Sequence, residues 1–174
     1  MIRRALPLLA VLLPFTGAGA LEPRYDHRGE QSIAVEPMLV HDTVAITGHT
    51  TRSTWRPTLR VAYGWDLLGD GNELFLGLQS ALSGFSDPAR EKILLAVDAR
   101  YRSYFGTEQW KTFFELGVWA PLRSRLALGP LVTLGVAYDF SRYSGLFVDG
   151  GFATGLGGAR VASFNASVGG QIRF

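Results

Sequence analysis

From residue 31 onward the chain alternates between apolar and polar positions, in runs of nine or more residues separated by clusters of turn formers. A period of two marks β-strands with two unlike faces. In Leu94–Phe105 the even positions are Leu94, Ala96, Asp98, Arg100, Arg102 and Tyr104. The odd positions, Leu95, Val97, Ala99, Tyr101, Ser103 and Phe105, are almost wholly apolar. Val161–Phe174 repeats the pattern, with Phe164, Val168, Ile172 and Phe174 on one face and Asn165, Ser167, Gln171 and Arg173 on the other. Six less regular runs complete a prediction of eight strands, over 32–40, 57–67, 73–83, 93–105, 110–119, 126–140, 144–154 and 160–174. Pro37 interrupts the first strand and predicts a bulge there, because a closed sheet has no free edge for a residue without an N–H. Short connections (Gly69–Asn72, Gly106–Gln109, Ser141–Tyr143) take turns with longer ones (His41–Arg56, Gly84–Lys92, Ala120–Arg125, Gly155–Ala159). The fold class expected is all-β: an eight-stranded antiparallel up-and-down barrel with one elaborated rim.

No segment past residue 30 sustains a helical period, and no apolar run reaches the length of a membrane helix. Alternation does not say which face points out. A secreted soluble lipocalin-like carrier turns the apolar face inward, whereas a transmembrane β-barrel turns it to lipid. Three features favour lipid. The polar face is rich in small residues (Gly64, Gly77, Gly117, Gly135, Gly151, Gly169), which suit a narrow lumen that must also hold large side chains. Pairing across the turns predicts Arg100 opposite Glu115, Arg102 opposite Phe113, Gly135 opposite Asp149 and Ala137 opposite Phe147. Rings also gather beside the short turns, at Trp65, Tyr101, Phe105, Trp110, Tyr138, Phe140, Tyr143 and Phe174. Aromatic side chains prefer that depth at a membrane interface. Third, the sequence ends in Ser167-Val-Gly169-Gly-Gln-Ile172-Arg-Phe174.

With that ending, the sequence resembles the small eight-stranded bacterial outer-membrane β-barrel family of the OmpA/OmpX type. The resemblance implies that Ser167, Gly169, Ile172 and Phe174 form an assembly signal read by the barrel-assembly machinery. It also implies that the short turns and both termini face the periplasm.

Residues 1–20 read as a signal peptide: Arg3 and Arg4, an apolar run Ala5–Phe15, then Ala18-Gly19-Ala20. Eleven residues rise only ~16 Å, short of the ~30 Å hydrocarbon core, so the run is no anchor. A short periplasmic segment, 21–30, would precede a barrel over 31–174. The 174-residue chain has 17 basic and 15 acidic residues, so cleavage near Ala20 leaves a neutral protein and removes the only global support for nucleic-acid binding. Charged residues are only 18%, Gly is 21 residues and Cys is absent. That composition fits strands with one face to lipid, and it removes thiol chemistry.

Eight strands leave a lumen just wide enough for side chains, so a porin-like wall without a general pore is expected. Glu36, Arg60, Asp66, Asp98, Arg100, Arg102, Lys111, Glu115, Asp139, Asp149 and Arg173 are predicted to line it as a paired plug. The rival reading is a lipid A-modifying enzyme, an acyl-chain hydrolase or transferase, which needs a nucleophile beside a general base. Only His27, His41 and His49 could serve, with Asp42 or Ser53 nearby, and they read as solvated loop histidines. No catalytic, metal or cofactor site is expected. Loop His41–Arg56 carries Thr43, Thr47, Thr50, Thr51, Thr54, Arg52 and Trp55, and its Val44–Ile46 can extend the first hairpin above the membrane. With Phe85 and Arg90 of the next long connection it forms a surface suited to an extracellular partner or lipopolysaccharide. The expectation is a non-enzymatic monomer in the outer membrane of a Gram-negative bacterium, structural or surface-interacting through its loops.

Overall fold

The alternating runs have no second element to pack on, so their only way to satisfy every backbone group is to close on one another. The computed structural model describes residues 29–45, 51–66, 71–82, 93–106, 109–122, 127–157 and 160–174. Its strands are β1 (Gln31–Ala45), β2 (Arg52–Trp65), β3 (Glu73–Ala81) and β4 (Leu95–Phe105). β5 (Trp110–Leu122), β6 (Ala127–Ser141), β7 (Ser144–Gly157) and β8 (Arg160–Arg173) follow. They pair in sequence order, all antiparallel, and β8 returns to β1 to close the barrel. The predicted leader 1–20 and all but the last two residues of 21–30 lie outside the described residues.

The register fixes the shape. Following cross-strand partners around the wall leads from Gln31 through Trp65, Leu74, Tyr101, Leu116, Val132, Phe152 and Phe164 back to β1 at His41. The sheet therefore closes with a stagger of ten residues, from Gln31 to His41. With ~3.3 Å per residue and ~4.8 Å between strands, eight strands with that stagger tilt by about 40°.

The two faces separate cleanly. Leu76 (51%), Leu134 (65%) and Ile172 (64%) are exposed on the outside, whereas Arg60 and Arg102 inside are at 0%. The apolar face is outermost, which excludes the lipocalin-like carrier, whose apolar face must line a cavity.

Three sequence expectations are corrected. Pro37 makes no bulge: β1 stays in register with β2 through Glu36↔Arg60, Pro37↔Leu59 and Met38↔Thr58. The β1–β8 ladder instead skips Glu36 and Pro37 without slipping, where proline has no N–H to give. The irregularity in the sheet lies at Asp139/Ser141, between β6 and β7. The β4–β5 hairpin is offset by two residues from the expected pairing, with Arg102 opposite Glu115, Arg100 opposite Gly117 and Tyr104 opposite Phe113. The chain reverses through Gly106 at φ 104, and Trp110 and Lys111 pair with β6 alone. Gly135↔Asp149 and Ala137↔Phe147 stand as expected. Finally, β1 and β2 run on through His41–Ala45 and Arg52–Arg56, where a loop was expected.

Candidate functional site in the lumen and at the barrel ends

The lumen is filled in tiers. Near the short-turn end Phe75, Phe113 and Phe147 point inward with Ala34, Ala62 and Ala137. Each ring lies where a neighbouring strand has glycine. A Cβ on Gly64 would sit 2.5 Å from Phe75, one on Gly135 2.3 Å from Phe113 and one on Gly169 2.1 Å from Phe147. The three rings enclose the Arg102 guanidinium at 4.7, 4.2 and 4.6 Å from their centroids. A cation among ring faces is attracted by their quadrupoles, most strongly where water is excluded.

Next along the axis is a tier of ions. The Arg60 guanidinium donates to Glu36 through Nη1 and to Asp98 Oδ1 through Nη2 at 2.7 Å. Gly77 makes room for it, since a Cβ there would be 2.6 Å from Arg60 Nε. Arg100 bridges Asp98 (Nε, 2.8 Å) and Glu115 (Nη1, 2.9 Å), and Arg102 Nε donates to Glu115 at 2.8 Å. Gln79 adds a 2.8 Å hydrogen bond to Asp98. Buried charges persist only when partnered in this way. Beyond it Trp119, Leu131, Ala96, Ala153 and Val161 form an apolar cap, flanked by the Arg56–Asp42 pair.

Below the rings, Glu73 accepts from Ser32 (2.8 Å), Tyr104 (2.6 Å) and Gln171 (2.7 Å). Lys111 and Arg173 share Asp139, each at 2.8 Å. All eight charges central to the predicted plug (Glu36, Arg60, Asp98, Arg100, Arg102, Lys111, Glu115, Asp149) are thus inside, but Asp149 enters no ion pair. Asp66 lies at the turn, accepting from the Gly29 and Gly71 amides at 3.0 and 3.1 Å.

On the outside, Trp65, Tyr101, Phe105, Trp110, Tyr138, Phe140 and Phe174 lie toward the short-turn end, with the Trp110 and Tyr138 ring centroids 4.7 Å apart and their planes tilted by 50°. The alternation did not announce a second belt at the other end. Trp55, His41, Phe164 and Phe152 occupy consecutive strands on one row, with ring centroids 4.6 Å apart for His41–Trp55 and 4.7 Å for Phe152–Phe164. Trp55 and Trp65 are ten residues apart on β2, which at ~3.3 Å per residue and ~40° tilt separates them by about 25 Å along the axis. That matches the ~25 Å apolar band of a membrane barrel.

His41, expected as a solvated loop histidine, stands on β1 and faces outward on Trp55, while Asp42, its neighbour in sequence, faces inward on Arg56, so strand alternation separates the two. His27 and His49 lie outside the described residues, as do Thr47, Thr50, Phe85 and Arg90. Within the terminal motif Ser167 and Gly169 face the lumen and Ile172 faces out, and Phe174 exchanges backbone hydrogen bonds with Gln31 at 2.9 and 3.0 Å across the closing seam. Glu73 and the ring cage were missed, and Asp42, named only as a neighbour of His41, is the inward partner of Arg56. Glu73 and the three phenylalanines do sit on the polar face in the sequence, but rings there contradict a polar pattern until the facing glycines are known.

No protein-family model and no curated protein matches the chain. Its structure is similar to the crystal structure of Neisserial surface protein A (NspA), with TM-score 0.56 and 15% identity over 82% of this chain and 97% of that one. It is also similar to Ail, the attachment invasion locus protein of Yersinia pestis, with TM-score 0.50 and 13% identity over 84% and 99%. Closed order, antiparallel pairing and an outward apolar face together give this chain the fold of the small eight-stranded outer-membrane β-barrels of the OmpA/OmpX type.

Proposed function

We propose that the chain is a non-enzymatic outer-membrane barrel whose lumen is structural and whose role is carried at the cell surface by the end bearing the long connections. The observation that carries this reading is the tiered lumen: apolar side chains close it on either side of a paired ion tier, and the hydroxyls that meet a carboxylate among the described residues, Ser32 and Tyr104 on Glu73, are packed inside that filled lumen. The β1–β2 hairpin, by contrast, continues past the outer ring belt to Val44↔Arg52, with Thr43 and Ser53 hydroxyls 3.1 Å apart on its outer side. Trp55 and His41 lie at headgroup depth below it, which suits contact with lipopolysaccharide or an extracellular partner. The similar structures are named as a surface protein and an attachment and invasion protein, which agrees with a role of that kind.

Expression in an outer-membrane-bearing host tests this. The lipid A mass spectrum is expected to be unchanged, planar bilayers to show no stepwise conductance, and an epitope placed within 46–50 to be reached by antibody on intact cells. A lipid A shift by one acyl chain, or a buried epitope, overturns the reading.

Phe174 is proposed to act in assembly beyond its place in the seam. Deleting it removes two backbone hydrogen bonds, about 1 kcal/mol each, so the truncated chain is expected to stay folded once refolded in detergent. In cells, most of it is expected to miss the membrane. Equal losses in both settings would reduce Phe174 to a seam residue.

A further inference from the structure

The ion tier does not balance. It holds four carboxylates, Glu36, Asp98, Glu115 and Asp149, against three guanidiniums, Arg60, Arg100 and Arg102. The surplus falls on Asp149, which is 6% exposed and, among the described residues, enters no ion pair and leaves Oδ2 without a hydrogen-bond partner. An unpaired carboxylate held away from water is costly unless it is neutralised.

Its surroundings are specific. Asp149 is the cross-strand partner of Ser167, and Gly151, two residues further along β7, is flanked by Thr133 on β6 and Asn165 on β8. Thr133 Oγ1 and Asn165 Oδ1 converge above Gly151: a single point, the place of the missing Cβ, lies 2.7 Å from one and 2.8 Å from the other. Neither oxygen has a hydrogen-bond partner among the described residues, Ser167 Oγ faces the Asp149 carboxylate without completing a well-formed hydrogen bond, and Thr133 and Ser167 are themselves at 1% and 4% exposure. Glu36 Oε2, in the same tier, is also unpartnered. Oxygen ligands with one net negative charge suit a hard cation of single charge. A proton on Asp149 would cancel the charge but supply a single donor where several oxygens converge.

We infer that β6, β7 and β8 hold a small monovalent cation of the sodium type inside the lumen, bound by Asp149 with Thr133, Asn165 and Ser167. The ring cage on one side and the apolar cap on the other enclose it, so it enters as the barrel closes and acts as a structural counter-ion. Gly151 is part of the site because any side chain there would fill it.

The test is thermal unfolding of the intact refolded barrel in a neutral detergent, in sodium, potassium or calcium chloride, with choline chloride holding ionic strength constant. At a tenfold excess over its dissociation constant, sodium is expected to raise the midpoint by roughly 3–6 °C relative to choline. Asp149→Asn is expected to abolish the sodium response and, in choline, to unfold at a higher temperature than the wild type. Thr133→Val keeps the charge and is expected to weaken the response without removing it. Equal wild-type midpoints in sodium and choline overturn the site in favour of a protonated Asp149. A sodium response that survives in Asp149→Asn, or a response to calcium without one to sodium, overturns the assignment as well.

Discussion

Replacing Gly169 with valine is expected to destabilise the folded barrel by about 3 kcal/mol, the upper range for forcing atoms into a packed interior. The new Cβ would lie 2.1 Å from the Phe147 ring, which cannot retreat. Arg102 lies 4.6 Å from its centroid and Phe113 packs edge-on at 6.1 Å. The same residue belongs to the terminal motif expected to guide assembly, so a loss of folded protein alone would have two explanations. Phe147→Ala separates them. Alone it opens a cavity and costs about 3–5 kcal/mol, but with valine at 169 the two changes fill one space. The double variant is expected to be more stable than the summed single losses by about 2 kcal/mol, within the usual range for residues in contact. Heat-modifiable mobility against temperature reads all four chains. Additive losses would show that Gly169 does not serve to seat the ring.

Arg60→Met is expected to cost about 3–5 kcal/mol, because it strips the cation from Glu36 while leaving that carboxylate buried. Asp98 suffers less, since Arg100 at 2.8 Å and Gln79 at 2.8 Å still hold it. The asymmetry gives the control. Glu36→Gln in the Arg60→Met background removes the orphaned charge and is expected to recover the larger part of the loss, whereas Asp98→Asn in that background would leave Arg100 short of a partner and recover little. Were Arg60→Met to lower stability by under ~1 kcal/mol, as exposed ion pairs do, the tier would not be a dry plug.

The alternation, clearest over residues 94–105 and 161–174 and repeated in six less regular runs, was enough to read eight strands and their two faces, because side-chain direction in a strand follows residue number with period two. Where the outer face meets lipid, that period is written in leucine, valine and phenylalanine. Above the outer belt it disappears: His41–Ala45 and Arg52–Arg56 need no apolar side facing out, so the strand continues through residues that look like a loop. Pro37 misled for a related reason. One missing N–H interrupts a ladder without shifting its register, and only the pairing on both sides of β1 shows which has happened.

Contacts that cross the barrel were beyond the sequence. The ring cage around Arg102 joins β3, β4, β5 and β7, and Glu73 meets Gln171 from the far end of the chain. Those meetings depend on the ten-residue stagger, which slides each strand against the next and sets which side chains share a level. Periodicity determined that charges share one face and apolar side chains the other, and the small residues of the polar face, the banded rings and the terminal motif pointed the apolar face outward. Which charges pair, which ring lies over which glycine, and that Asp149 meets no guanidinium or ammonium among the described residues were decided by closure, because a stagger is a property of the ring and not of any strand within it.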